Sequence, residues 1–138
     1  MATIIQKVVF KNTKISQLYN LYMDAKLHGM ITNGKVTISD KPGSQLNVFD
    51  GYITGTTLQT VKNKLVAQQW HGSDWAKGSE DSIFVLTFDQ EGNDAILHVF
   101  HGNVPDDKAA SLDKGWHDHY WKPWKQYLEG KPITRPEN

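Results

Sequence analysis

After Pro105 the hydrophobic rhythm of this chain changes. Before it, apolar residues mostly come in short alternating runs broken by turn residues, the period-two signature of strands. After it, Trp116, Tyr120, Trp124 and Leu128 recur every four residues and therefore share one face of a helix. That helix is expected over about residues 106–128, stopped by Gly130 and Pro132. Pro123 has no N–H to return to the carbonyl of His119, which predicts a kink. A helix with so much ring area on one side must cover something large and concave.

Residues 4–10 read as a strand, with Ile4, Gln6, Val8 and Phe10 on one face and Thr3, Ile5, Lys7 and Val9 on the other. Asn12-Thr13 supplies an N-cap for a helix with the stripe Ile15, Leu18, Tyr19, Tyr22 and Met23. Residues 24–30 continue as a second short helix ending near Gly29. Strands follow at 36–39, 46–49, 52–60, 65–70, 82–88 and 95–101. Lys41-Pro42-Gly43-Ser44 and Asp50-Gly51 read as turns, and residues 89–94 as a hairpin loop. Gly55, inside a strand, marks a bulge or a close backbone approach. In the last two strands Phe84, Leu86, Phe88 and Leu97, Val99, His101 alternate with Ile83, Val85, Thr87 and Ile96, His98, Phe100. Both sets are partly apolar, so periodicity alone leaves the inward phase open.

Consecutive strands with short turns make an antiparallel sheet, and helices gathered at the two ends make the class α+β. Six or seven twisted strands curl, and a helix of roughly 20 residues, about 30 Å long, can lie along the concave side. A pocket is expected in the space between them.

Composition narrows the partners. The 138 residues suit one domain over 1–138, burying roughly two thirds of the unfolded surface. Fifteen basic and fifteen acidic side chains cancel, so no basic field gathers nucleic acid. Without cysteine there is no disulfide, thiolate chemistry or cysteine metal site. The first residues hold no apolar core or cleavage site, so neither a signal peptide nor a membrane span is expected. A cytoplasmic monomer without cofactor is the resulting expectation.

Candidate chemistry is thin. His117 and His119 lie about 200° apart around a helix, and His98 and His101 point to opposite faces of a strand, so no metal site is expected. No Gly-x-Ser-x-Gly elbow, phosphate-cradling glycine loop or kinase motif occurs, and the chain is not expected to be an enzyme. Asp50 belongs to a hairpin turn, and Asp106-Asp107 favours the dipole at the start of the last helix.

Several motifs together carry a resemblance. Phe49-Asp50-Gly51-Tyr52-Ile53-Thr54-Gly55 resembles a family motif of an aromatic residue, Asp-Gly-Tyr, then Gly. Gln69-Trp70 with Trp75, Gly78 and Ser82 is similar to that family's Gln-Trp strand end and tryptophan loop. Val104-Pro105, Gly115-Trp116, Tyr120, Pro123 and Tyr127-Leu128 resemble its closing helix. From Ile5 to Leu128 the chain looks like the family named for the activator of heat-shock protein 90 ATPase, homologue 1-like, in the START-like (SRPBCC) superfamily with the helix-grip fold. Position 71 is His where that family often has Arg.

The resemblance implies a curved sheet around a long C-terminal helix, with a cavity that often holds apolar ligands. It also selects the Phe84 and Leu97 sets as inward. The expected lining is then Tyr22, Met30, Phe49, Tyr52, Trp70, Phe84, Leu86, Leu97, Val99, His101, Trp116 and Tyr120, with Trp124 sealing one end. The functional expectation is non-enzymatic binding of a small apolar or amphipathic molecule, such as a lipid, oriented by Tyr52, His101 or Tyr120. The alternative is a stress-related module docking on a heat-shock protein 90-type chaperone. Eukaryotic activators carry a further N-terminal domain, which is not expected in these 138 residues. Trp121, roughly 140° around the helix from Trp116, is expected at the surface as a partner contact, and Trp75, in a polar loop, either folds back over the end of the sheet or joins it as a partner contact.

Overall fold

Alternation sorts the first strand by face as its side chains suggest. In the computed structural model, which describes residues 1–135, β1 (Ala2–Phe10) buries Ile4, Gln6, Val8 and Phe10 and exposes Thr3, Ile5, Lys7 and Val9. Five more strands follow: β2 (Gln45–Val48), β3 (Ile53–Val61), β4 (Leu65–Gly72), β5 (Ser82–Glu91) and β6 (Asp94–Val104). They form one antiparallel sheet in the order β1-β6-β5-β4-β3-β2. β1 thus lies at one edge and β2 at the other, and α1 (Ile15–Met23) and α2 (Ala25–Thr32) carry the chain between them. The fold is α+β.

Local departures from expectation have local causes. α1 starts at Lys14, whose N–H donates to the Gln17 side chain at 2.8 Å, while Thr13 Oγ1 turns back to the Lys11 carbonyl. Asp24 caps α2 by accepting from the N–H groups of Lys26 and Leu27. α2 passes through Gly29 and ends at Asn33, which takes the left-handed conformation at φ 57°. The expected strand at 36–39 reduces to a single bridge, Thr37 to Asn47. Phe49, Asp50 and Gly51 form a 3₁₀ turn, with the Asp50 carboxylate accepting the N–H of Lys35 at 2.9 Å. β5 and β6 run on until Glu91 faces Asp94, so their turn is only Gly92-Asn93.

Gly55 is a close approach rather than a bulge. It faces Trp70 in register, and a Cβ there would stand 1.8 Å from the Gln69 carbonyl oxygen. The irregularity of β3 falls instead between Thr57 and Gln59.

The closing helix is α-helical over α3 (Asp106–Trp116) and α4 (Lys122–Leu128), with a π turn (His117–Trp121) between them. The Lys122 N–H bonds the His117 carbonyl, five residues back. The wide turn directly precedes Pro123, the residue that cannot donate. Its effect on side chains is large. In a continuous α-helix Trp121 would point well away from Trp116, but here the two indoles stack at 5.4 Å with an 8° tilt. Trp121 is 1% exposed, which corrects its expected place at the surface. Phe84 stacks on Trp116 at 4.3 Å and 6°, so three near-parallel rings join helix to sheet.

Trp75 is buried as well. Its indole lies over Gly72, with Nε1 2.3 Å from where a Cβ would be, and beside the His71 ring at 4.9 Å. Of the two places open to it the ring takes the one folded back on the sheet end, because a missing side chain at Gly72 makes room for it. Gly55→Ala should lower stability by roughly 3 kcal/mol, because the methyl would force β3 and β4 apart. A thermal melt unchanged by that substitution would contradict the close approach.

Candidate functional site

Beneath the helix most polar atoms of the large side chains are committed to one another, Trp124 Nε1 being buried without a partner. Gln68 and Trp70 share the inner face of β4, and Gln68 Oε1 accepts from Tyr22 Oη at 2.6 Å and Trp70 Nε1 at 3.2 Å. The Gln68 amide donates to Thr57 Oγ1, which donates to the Ser39 carbonyl. His28 donates from Nδ1 to the Tyr22 carbonyl and accepts from Tyr120 Oη at Nε2, both at 2.8 Å. Trp116 Nε1 donates to His101 Nδ1 at 3.2 Å, leaving the His101 proton on Nε2, 2.7 Å from Ser82 Oγ. Ser82 in turn donates to the Trp70 carbonyl. Trp121 Nε1 donates to Gln6 Oε1 at 2.7 Å, and the Gln6 amide donates to Asp113.

Burial sets the ionisation of this network. Desolvation lowers both His28 and His101 to about 4 and raises the Tyr22 and Tyr120 hydroxyls well above the phenol range. The Ser82–His101 pair superficially resembles an activated nucleophile. It is not one, because Nε2 already holds the proton that a general base would have to accept, and Ser82 and His101 are both fully buried.

Open space remains beside the middle of the closing helix. A cleft of about 360 Å³ lies between the 3₁₀ turn, the start of β3, the end of β4, the second half of α3 and the π turn. Phe49, Tyr52, Trp70, Trp116 and Tyr120 form most of its wall, and Ile53, Ser111, Leu112, Gly115 and His119 complete it. The polar ends of Trp70, Trp116 and Tyr120 are spent inward, and what little of these side chains the cleft meets, each being 2% exposed, is ring rather than donor. At its rim Tyr52 Oη donates to Asp74 at 2.8 Å, and Lys108 pairs with the same carboxylate at 3.2 Å. Partial burial, then the Asp74 carboxylate, pushes the Tyr52 hydroxyl up to about 12. Burial lowers the half-buried His119. A larger depression of about 590 Å³ occurs around Thr13, Ser16, Gln90 and Asn93, but it is more open and has no aromatic side chain in its wall.

The expected lining residues therefore divide. Phe49, Tyr52, Trp70, Trp116 and Tyr120 are together at the cleft. Tyr22, Phe84, Leu86, Leu97, Val99 and His101 lie in the filled core beneath the helix, because the ring stack occupies the lumen expected there. Met30, on the outer side of α2, is 40% exposed and away from the cleft. His101 and Tyr120 have no polar tip left to orient a ligand. Leu112, Gly115 and His119 were missed, although with Trp116 they form an i, i+3, i+4, i+7 set that continues the stripe backward. Among the described residues no three His, Cys, Asp or Glu side chains cluster as metal ligands, and no helix is long and apolar enough to cross a membrane.

Two buried neutral histidines make stability depend on pH. Unfolded histidine titrates near 6.5, so between about 6.5 and 4 the unfolded chain binds protons that the folded chain refuses. Stability is then full above pH 6.5, falls as pH drops, and levels off below about 4. At pH 5 the expected loss is on the order of 2 kcal/mol per histidine. Denaturant melts at pH 7 and pH 5 measure it, and equal midpoints would rule out the neutral buried pair.

Comparison with known proteins places this geometry. Residues 12–129 match the family model described as Activator of Hsp90 ATPase homolog 1-like protein. The mouse (Mus musculus) protein "Activator of 90 kDa heat shock protein ATPase homolog 2" is 21% identical over 118 residues, 86% of this chain. That match spans 35% of the mouse protein, so this chain covers about a third of its curated relative. An HSP90 activator from Plasmodium falciparum superposes with a TM-score of 0.85 at 17% identity, covering 97% of this chain and 100% of the other. The Aha1 dimer from Colwellia psychrerythraea superposes with a TM-score of 0.80 at 15% identity, covering 96% and 100%. At such identities the structural likeness is one of fold. The family match, which takes in most of the sequence and the whole cleft, is decisive: the chain belongs to the Activator of Hsp90 ATPase homolog 1-like family.

Proposed function

We propose that this chain binds a small, flat apolar or amphipathic molecule in the aromatic cleft and catalyses no reaction on it. The observation that carries the reading is the wall itself: five aromatic side chains border one opening, and three of them keep their donors turned away from it. A volume of about 360 Å³ falls within the ordinary range for small-molecule sites. Apolar burial, at roughly 25 cal/mol per Å² before ordering costs, supplies the affinity. Tyr52 and His119 at the rim are the polar contacts available to an amphipathic ligand's head.

Titration with fatty acids, flavonoid-like aromatics and sterols should change the fluorescence of Trp70 and Trp116. Gly115→Leu is the discriminating variant. A Cβ at 115 has only His119 within 4 Å, at 3.7 Å, so a larger side chain projects into the cleft. Leu also favours the helix over Gly by roughly 0.5–1 kcal/mol, so the variant should fold at least as well while losing the response. No response from the unaltered protein at high ligand concentration would refute the reading.

A second reading is favoured by the names of the relatives: a module that docks on a heat-shock protein 90-type chaperone. It needs no open cleft. The chaperone's ATPase rate with and without this chain tests it, with stimulation as the expected result and an unchanged rate as the contrary one.

A further inference from the structure

The sheet edge formed by β1 runs beside α4, and the two enclose a groove of about 560 Å³, apart from the aromatic cleft. The groove is lined by Lys7, Lys122, Lys125 and Lys131, with Glu129 as the single carboxylate. Glu129 pairs with Lys131 at 2.9 Å. Among the described residues, Lys7, Lys122 and Lys125 have no carboxylate within ion-pair distance. Lys125 Nζ sits instead 5.6 Å over the Phe10 ring. In a chain of zero formal net charge this is a local gathering of cations.

The strand that forms the other wall has its own unused capacity. β1 pairs with β6 alone among the described strands, so alternate backbone N–H and C=O groups point away from the sheet. On its convex face Ile5 is 76% exposed and Val9 38%. Phe100 lies opposite Ile5 in register and extends that apolar strip.

We propose that this groove takes an extended acidic segment of a partner protein, which adds to the sheet beside β1. Strand geometry sorts the segment's side chains. Alternate residues turn toward α4, where carboxylates meet Lys122 and Lys125, and the others turn outward beside Ile5 and Val9, where apolar groups fit. Lys7, between Ile5 and Val9 on the convex face, keeps the edge from pairing indiscriminately. A nucleic acid or anionic membrane matches the lysines but offers no row of backbone donors and acceptors at strand spacing. The proposal goes beyond the cleft and does not rest on it.

A fluorescent peptide of about eight residues alternating Glu and Val tests this with the full chain. Its anisotropy should rise on binding and fall as salt is added. Amide exchange along β1 should slow in the complex. Lys122→Glu with Lys125→Glu, both at exposed positions, should weaken binding about tenfold or more while melting like the parent. The same peptide N-methylated at alternate residues keeps its charges but cannot ladder, and should fail to bind the unaltered protein. Retained binding by the methylated peptide, or by the charge-reversed variant, would overturn the proposal. So would binding of phosphatidylserine vesicles or single-stranded DNA through the same lysines with β1 exchange unchanged and no peptide binding.

Discussion

Trp116 is clamped on both faces and tied at its edge. Phe84 from the sheet and Trp121 from the next helical turn lie parallel to it, while its N–H is held by His101. This clamp fixes how far the helix stands from the sheet and at what rotation. From that follow the filled centre of the molecule, the direction of Tyr120 toward His28, and the position of the cleft bordered by the aromatic rings. Aromatic pairs contribute roughly 0.5–1.5 kcal/mol each beyond burial, so the stack is a large part of what joins the two layers.

The clamp requires the π turn. An α-helix places residues five apart on different faces, whereas the wider turn before Pro123 brings Trp121 back over Trp116. Lining residues then acquire their inward polar contacts as a set. Gln68, His28 and His101 accept the donors of Trp70, Tyr22, Tyr120 and Trp116, and each buried polar atom so satisfied avoids a penalty of about 1–3 kcal/mol. The hydrogen bonds that hold the wall rigid also make its open surface apolar.

Much of the scaffold was legible in the sequence. The four-residue spacing of Trp116, Tyr120 and Trp124 gave the buried helix face, and short alternating runs gave the strands. The motifs around Tyr52, Trp70 and Trp116 pointed to the family that residues 12–129 match. What could not be read depends on angles and on absent atoms. Pro123 announces a missing hydrogen bond but not how the backbone absorbs it, so Trp121 was placed outside. Gly72 reads as part of a polar loop, yet its lack of a Cβ is what admits Trp75. Whether rings stack face to face, and so fill a lumen, is written in no periodicity. For that reason Phe84, Leu86, Leu97 and Val99 were assigned to a pocket and belong to solid core.

The pairing of β1 with β6 has a consequence for biosynthesis. Ala2 meets Val104 and Phe10 meets Ala95, so β1 has no neighbour until nearly the whole sheet has been translated. During that interval Ile4, Val8 and Phe10 have no layer to cover them, and the nascent segment is open to misassociation. Non-local closure of this kind also slows folding relative to helical proteins of similar size. A strand and a helix separated by most of the sheet must therefore find each other before either is protected.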